Sequence, residues 1–332
     1  MTKQAYDVVG IGNAIVDVIT QTDDDFIGEN DLEKGAMTLI DAERATSLYA
    51  VMPAGIEASG GSAANTAVGI TSFGSTAAYV GKVRNDQLGE VFRHDIRASE
   101  VGYDVPLATD GPPTARCLIM VTPDAERTMN TFLGISSLLE PSDVDESLTA
   151  SAKVVYCEGY LWDVDSAKEA MLKGMRATER GGGKVALTLS DSFCVDRHRP
   201  EFLDLVANHV DILFANEAEI RALYEVEEFE DALALVREDC AVACLTRGAA
   251  GSEIVTPDGR ISIPAWRAGE VVDTTGAGDL YAAGFLHGFC SGADLERSGR
   301  LGSLAAGEVI SHVGPRPAES LAELAMREGF GG

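Results

Sequence analysis

Short runs rich in Val, Ile and Leu alternate along the chain with Ala-rich stretches whose apolar residues recur every three or four positions. The short runs read as buried strands, and the three-to-four spacing reads as helices with one apolar face. Strands are predicted at Tyr6–Ile11, Ala77–Gly81, Val154–Cys157, Lys184–Leu189, Val210–Phe214, Val242–Thr246 and Glu270–Val272. Helices are predicted at Ala63–Phe73, Leu88–Ser99, Ser166–Arg180, Phe202–Asn208, Phe229–Glu238, Ala277–Cys290 and Leu295–His312. The alternation implies βαβ units, and hence a mostly parallel sheet with helices on both faces that binds ligands at the carboxyl ends of its strands. Two stretches fit it poorly: about 18–40, and about 106–131, where strand-like Arg116–Val121 runs into the turn Thr122-Pro123-Asp124. They are expected to form a small β lid set against one α/β domain spanning residues 1–332.

Composition narrows the partners. The 332 residues hold 53 Asp and Glu against 26 Lys and Arg, a formal charge of −27. Counterion release on a nucleic-acid backbone needs clustered cations, so nucleic acid is excluded as a partner, while a small anion held by helix N-termini and a few arginines is not. Six cysteines, at 117, 157, 194, 240, 244 and 290, complete no zinc spacing and read as reduced thiols. No stretch reaches the roughly 18 apolar residues of a membrane span, and the acidic residues of the first segment do not suit a signal peptide. A cytoplasmic protein with no membrane partner is expected.

The strongest chemical signal is Asp273-Thr274-Thr275-Gly276-Ala277-Gly278-Asp279, between a predicted strand and a predicted helix. Glycines there allow a tight turn and close backbone approach, and the free N–H groups of the first helical turn carry the positive end of the helix dipole. Such a turn is an anion hole. A carboxylate one turn away suits proton abstraction from a hydroxyl better than phosphate binding, so the pair suggests phosphoryl transfer to an alcohol. The alternative is a plain N-terminal turn in which Asp279 only complements the dipole.

Four weaker segments share the chain. Gly60-Gly61-Ser62-Ala63-Ala64-Asn65-Thr66 opens a helix, with bare glycines for a polar ligand to touch and Asn65 placed to meet hydroxyls. Gly12-Asn13-Ala14-Ile15-Val16-Asp17 follows the first strand, where an aspartate can accept hydrogen bonds from vicinal sugar hydroxyls. Asn216-Glu217-Ala218-Glu219 suits magnesium, more often through water, or else an Asn-capped helix start. Thr246-Arg247-Gly248 offers a hydroxyl and a cation to polyphosphate, or a turn. A Walker A loop is missing, and the five histidines make neither a metal spacing nor a triad.

Taken in this order, the segments resemble the ribokinase-like (PfkB) family of carbohydrate and nucleoside kinases over nearly the whole chain. DTTGAGD matches that family's carboxy-terminal signature, GGSAANT looks like its glycine pair, and NEAE resembles its Asn-x-x-Glu motif. The resemblance implies a three-layer α/β/α fold and transfer of phosphate from ATP, with Mg2+, to a primary hydroxyl. By the same likeness Asp279 is the base, and Gly276, Ala277 and Gly278 form the anion hole. Asn13, Asp17, Gly61, Ser62 and Asn65 hold the substrate. Asn216, Thr246, Arg247 and Gly248 face the nucleotide, Glu219 serves magnesium, and Asp273 lies near a monovalent cation such as K+. The amino-terminal segments are most similar to the members that phosphorylate adenosine at its 5′-hydroxyl, with a sugar kinase as the alternative. A purine needs an apolar slot, for which Met37, Phe132, Leu133, Tyr160 and Trp162 are the candidates. Ala115 and Leu280-Tyr281 depart from the family pattern. The expected partners are a small-molecule substrate and ATP, and the expected assembly is a monomer or homodimer.

Overall fold

A computed structural model describes residues 6–124, 126–267 and 269–330. Its strands are β1 (Val8–Ile11), β2 (Ile15–Gln21), β3 (Met37–Leu39), β4 (Ile56–Gly60), β5 (Ala77–Val80), β6 (Ala115–Val121), β7 (Arg127–Phe132), β8 (Val154–Glu158), β9 (Lys184–Thr188), β10 (Ile212–Asn216), β11 (Val242–Thr246), β12 (Ser252–Thr256) and β13 (Gly259–Ile263). They make two sheets. The larger runs in the order β13-β12-β11-β10-β9-β8-β1-β5, and the smaller in the order β3-β7-β6-β2-β4.

From β5 to β11 the larger sheet is parallel, as the apolar runs predicted, with β8, β9 and β10 almost wholly buried. Helices cover both faces, giving the three-layer α/β/α arrangement. On one side lie Ser62–Ser72, Ala277–Cys290 and Leu295–Val309; on the other Asp165–Gly181, Ser192–Asn208, Glu217–Tyr224 and Phe229–Asp239. Phe214 of β10 meets Tyr156 of β8 and Phe285 of the Ala277–Cys290 helix edge-on at 5.9 and 5.6 Å, so one aromatic cluster ties that helix to the sheet. A Cβ on Gly69 would come within 2.6 Å of Leu280 and Ala283. Only glycine lets the Ser62–Ser72 helix cross so close, and the crossing brings the two N-termini together.

Several elements differ from the sequence reading. Glu270–Val272 forms no strand: the chain leaves the sheet after the antiparallel β12–β13 hairpin, and Val272 and Asp273 donate instead to the Ile310 carbonyl. The Phe202–Asn208 helix begins ten residues earlier, at Ser192, with a break at His198 before Pro200, whose ring disfavours helical backbone just ahead of it. In the smaller sheet β4 comes from outside both expected lid segments, and 106–114 supplies no strand, since Pro and Gly there remove the donors and restrict the backbone a ladder needs.

The smaller sheet is mixed and open at both edges. One face joins the main core through Val16, Val18, Leu118 and Met120. The other carries a separate apolar cluster of Cys117, Ile119 and Val121 with Ile15, Ile19 and Met129. Asp17 falls between Ile15 and Ile19 on that second face, opposite Cys117 in register. It is a carboxylate in an apolar row.

Candidate active site

The parallel register sets the carboxyl ends of β1, β8, β10 and β11 along one edge, where Asn13, Glu158, Asn216 and Thr246 emerge. Beside this edge the helix Ala277–Cys290 begins on Gly276 at φ +80°, with no side chain capping its first turn. A Cβ at Gly276 would strike the Pro315 carbonyl at 2.7 Å, so both backbone angle and space require glycine. The result is the uncapped helix start, with Gly278 open to its surroundings, that the glycine string predicted.

Asp279 sits in the first turn of that helix. Ser62 Oγ donates to its Oδ1 at 2.6 Å and Asn65 Nδ2 to its Oδ2 at 3.1 Å. Burial raises its pKa above the usual carboxylate value, against the pull of those two donors. Asp17 lies on the other wall, its carboxylate hard against Gly60. Burial pushes its pKa to about 6, opposed by Arg316 and Arg127 and reinforced by Asp279. Gly60 abuts Asp17 and Ser62, two residues on, bonds Asp279, so the two aspartates lie near each other at the start of the Ser62–Ser72 helix although they stand 262 positions apart in the chain (279 − 17).

Asn13 is buried: Nδ2 donates to Glu158 Oε1 at 2.9 Å, and Oδ1 accepts from Ser136 at 3.0 Å. Gly61 packs on its carbonyl. The other Glu158 oxygen accepts from the Ala63 N–H at 3.0 Å, so Glu158 joins the β1–β2 turn to the start of the Ser62–Ser72 helix. Burial raises its pKa to about 7. Its only trace in the sequence is an acidic residue closing an apolar strand run.

Further along the edge, Asn216 caps the Glu217–Tyr224 helix, and Glu219 closes a reciprocal capping box with it. Glu219 is raised to about 7 by burial, with Asp191 and Asp279 adding repulsion, so a cation nearby would relieve it. Among the described residues no three Asp, Glu, His or Cys side chains lie close enough to hold a metal ion directly. The one buried carboxylate Glu219 with the Asn216 amide beside it is a hard oxygen donor set of the kind that suits magnesium keeping most of its waters. Thr246 and Gly248 frame the turn after β11. Arg247 pairs with Glu217 at 3.0 Å and stacks over Phe229 at 4.2 Å.

Three expected site residues have other surroundings. Trp162 is buried against Phe202, donates its indole N–H to Glu201 and carries Lys168 over its ring, so packing within the helical layer consumes it. Met37 is 46% exposed on edge strand β3, outside the apolar groove. Asp273, expected near a monovalent cation, pairs with Arg127 of β7 and accepts from the backbone of Thr275 and Gly314. Leu133 does face a groove of about 330 Å³ with Leu39, Ile40, Phe132 and Leu138. Ser136, three residues further on, bonds Asn13 at 3.0 Å.

The three-layer α/β/α fold, with an uncapped helix start beside a buried carboxylate at the sheet's carboxyl edge, is that of a kinase family. The family profile for pfkB family carbohydrate kinase matches residues 38–321, and the chain belongs to that family of ATP-dependent kinases. The structure of a probable sugar kinase from Rhizobium etli CFN 42 superposes with a TM-score of 0.92 and 51% identity, over 99% of this chain and 100% of that one. That of adenosine kinase from Sinorhizobium meliloti superposes with a TM-score of 0.92 and 52% identity, over 98% and 100%. Adenosine kinase of Saccharomyces cerevisiae is 25% identical over 337 aligned positions, covering 95% of this chain and 98% of its own. Among the described residues no helix is long and apolar enough to cross a membrane.

Proposed function

We propose that the chain transfers the γ-phosphoryl group of ATP to the 5′-hydroxyl of adenosine. One observation carries the reading: the Asp279 carboxylate is aimed by Ser62 and Asn65 beside the uncapped Gly276–Gly278 turn, and Gly60, two residues before Ser62, abuts Asp17. Asp17 accepts from the ribose hydroxyls, which sets the ribose so that its 5′-oxygen faces Asp279. Asp279 takes the hydroxyl proton as that oxygen bonds to the γ-phosphorus, and the bond to the bridging oxygen breaks to release ADP. The N–H groups of Ala277 and Gly278 meet the charge of the transferring group. Magnesium supplies charge neutralisation on the phosphates; Asn216 and Glu219 would hold its water shell. Thr246 and Gly248 would border the nucleotide, and the smaller sheet would exclude water from the cleft.

The choice of adenosine rests on the 52% identity to the Sinorhizobium meliloti enzyme across almost the full length and on the apolar groove around Leu133, where a purine would sit. The near-equal likeness to a probable sugar kinase keeps a second reading, a free sugar such as ribose or fructose as acceptor. ADP release measured with adenosine, guanosine, ribose and fructose separates them. Turnover with adenosine at least a hundredfold above that with ribose is expected, and turnover only with free sugars overturns the nucleoside reading.

A further inference from the structure

The segment 314–319 links three parts of the cleft. The Gly314 N–H donates to Asp273 at 2.9 Å, and the Pro315 carbonyl abuts Gly276, so the segment braces the anion turn. Glu308 Oε1 accepts from the Ala318 N–H at 2.9 Å and holds the segment's far end. Between them Arg316 points into the protein. Its Nη1 donates to Asp95 Oδ2 at 2.9 Å and its Nη2 to Ser59 Oγ at 2.6 Å. Ser59 belongs to β4 of the smaller sheet, and its own N–H also bonds Asp95, at 2.8 Å. The Nε of Arg316 reaches Asn65 Oδ1 at 3.5 Å. Nothing in the local pattern GPRPAES marks this arginine.

The consequence follows from the chemistry of an amide, whose two ends differ: one only accepts and the other only donates. With Arg316 on its oxygen, Asn65 must turn its NH2 toward Asp279, the orientation seen. A reversed amide would set oxygen against the carboxylate. The same guanidinium, through Ser59, fixes the strand that carries Gly60 against Asp17.

We propose that Arg316 is a positioning residue of the transfer reaction, orienting Asn65 and thereby Asp279 while clamping β4 of the smaller sheet beside Asp17. This rests on the assignment of Asp279 as the base. Arg316 also supplies positive charge to Asp17, which is faced by Arg127 from β7, Asp279 from the helix Ala277–Cys290 and the Cys117 thiol from β6. Loss of the cation leaves Asp17 protonated to higher pH, whereas a lysine keeps the charge and loses the fork.

The test compares Arg316→Ala, Arg316→Lys and Asp279→Asn by ADP release with adenosine across pH 5 to 9, using ribose if adenosine is not turned over. Arg316→Ala is expected to lower kcat about tenfold to a hundredfold, the usual penalty for an ångström-scale misplacement, and to move the acid limb of kcat/KM to higher pH. Arg316→Lys is expected to keep the wild-type acid limb with a kcat still several-fold reduced. Wild-type kcat in either variant overturns the proposal, as does an unmoved acid limb in Arg316→Ala. If Arg316→Ala does not fold, Arg316→Lys decides alone on kcat. Full turnover by Asp279→Asn would instead sink the base assignment and this proposal with it; an inactive Asp279→Asn beside a normal Arg316→Ala sinks only this one.

Discussion

The two sheets solve opposite problems. The larger is parallel from β5 to β11 and sealed by helices on both faces, so its residues have one place to be, and Asn13, Glu158 and Asn216 at its carboxyl edge are held by hydrogen bonds. The smaller is short-stranded and open-edged, with only one face committed to the main core. Asp279 belongs to the first region and Asp17 to the second. On the proposed function, the base thus stands on a helix packed against the sealed sheet and the hydroxyl acceptor on the sheet with open edges.

The comparison breaks most sharply at Asp279. Asp279→Asn is expected to cut turnover by about 10²–10⁴-fold with substrate affinity changed little, measured by ADP release and calorimetric titration. Equal losses in binding and turnover would mean that Asp279 holds substrate rather than removing a proton. Asp17→Asn removes a charged acceptor and is expected to lower kcat/KM by about ten- to hundredfold, from the roughly 1.5–3 kcal/mol of a charge-assisted hydrogen bond. A kcat/KM within twofold of wild type would place the hydroxyls elsewhere.

Protonation tests the same contrast. Asp17 works ionised and titrates near 6, so kcat/KM should fall about tenfold per pH unit below that value; an acid limb near 4 would contradict its burial. The sign for stability is opposite. Glu158 is raised from 4.5 to about 7, so the folded state holds a proton that the unfolded chain has released between those values, and this group's contribution to stability declines as pH rises through that window. Of the substitutions in the rigid layers, Gly69→Val should drive the crossing helices apart, costing about 1–3 kcal/mol by overpacking, with Tm and turnover falling together. Trp162→Phe should have the smallest functional effect, a KM within twofold of wild type with a lower Tm. A large KM rise there would return the indole to the substrate site.

Legibility in the sequence follows the same divide. The parallel strands could be read because burial on both faces makes their residues uniformly apolar, and DTTGAGD because a tight turn beside a helix start restricts which residues fit. The hairpin β12–β13 and strand β4 are not legible in the sequence, since short or half-buried strands carry mixed patterns that loops also show. Asp17 and Asp279 could each be singled out, but Glu158 and Arg316 carry no local pattern, and Trp162 looked available only because burial cannot be read from residue type.

Local order along the chain decided which turns, helix starts and strand runs this protein would have, because backbone angles, capping and apolar spacing act over a few residues. Tertiary structure alone decided that Ser62 and Asn65 aim Asp279, that Arg127 meets Asp273, and that Arg316 reaches Asn65 across 251 positions. Those contacts depend on close helix crossing and on shared burial of charge, and both arise from distances in space that no short stretch of sequence encodes.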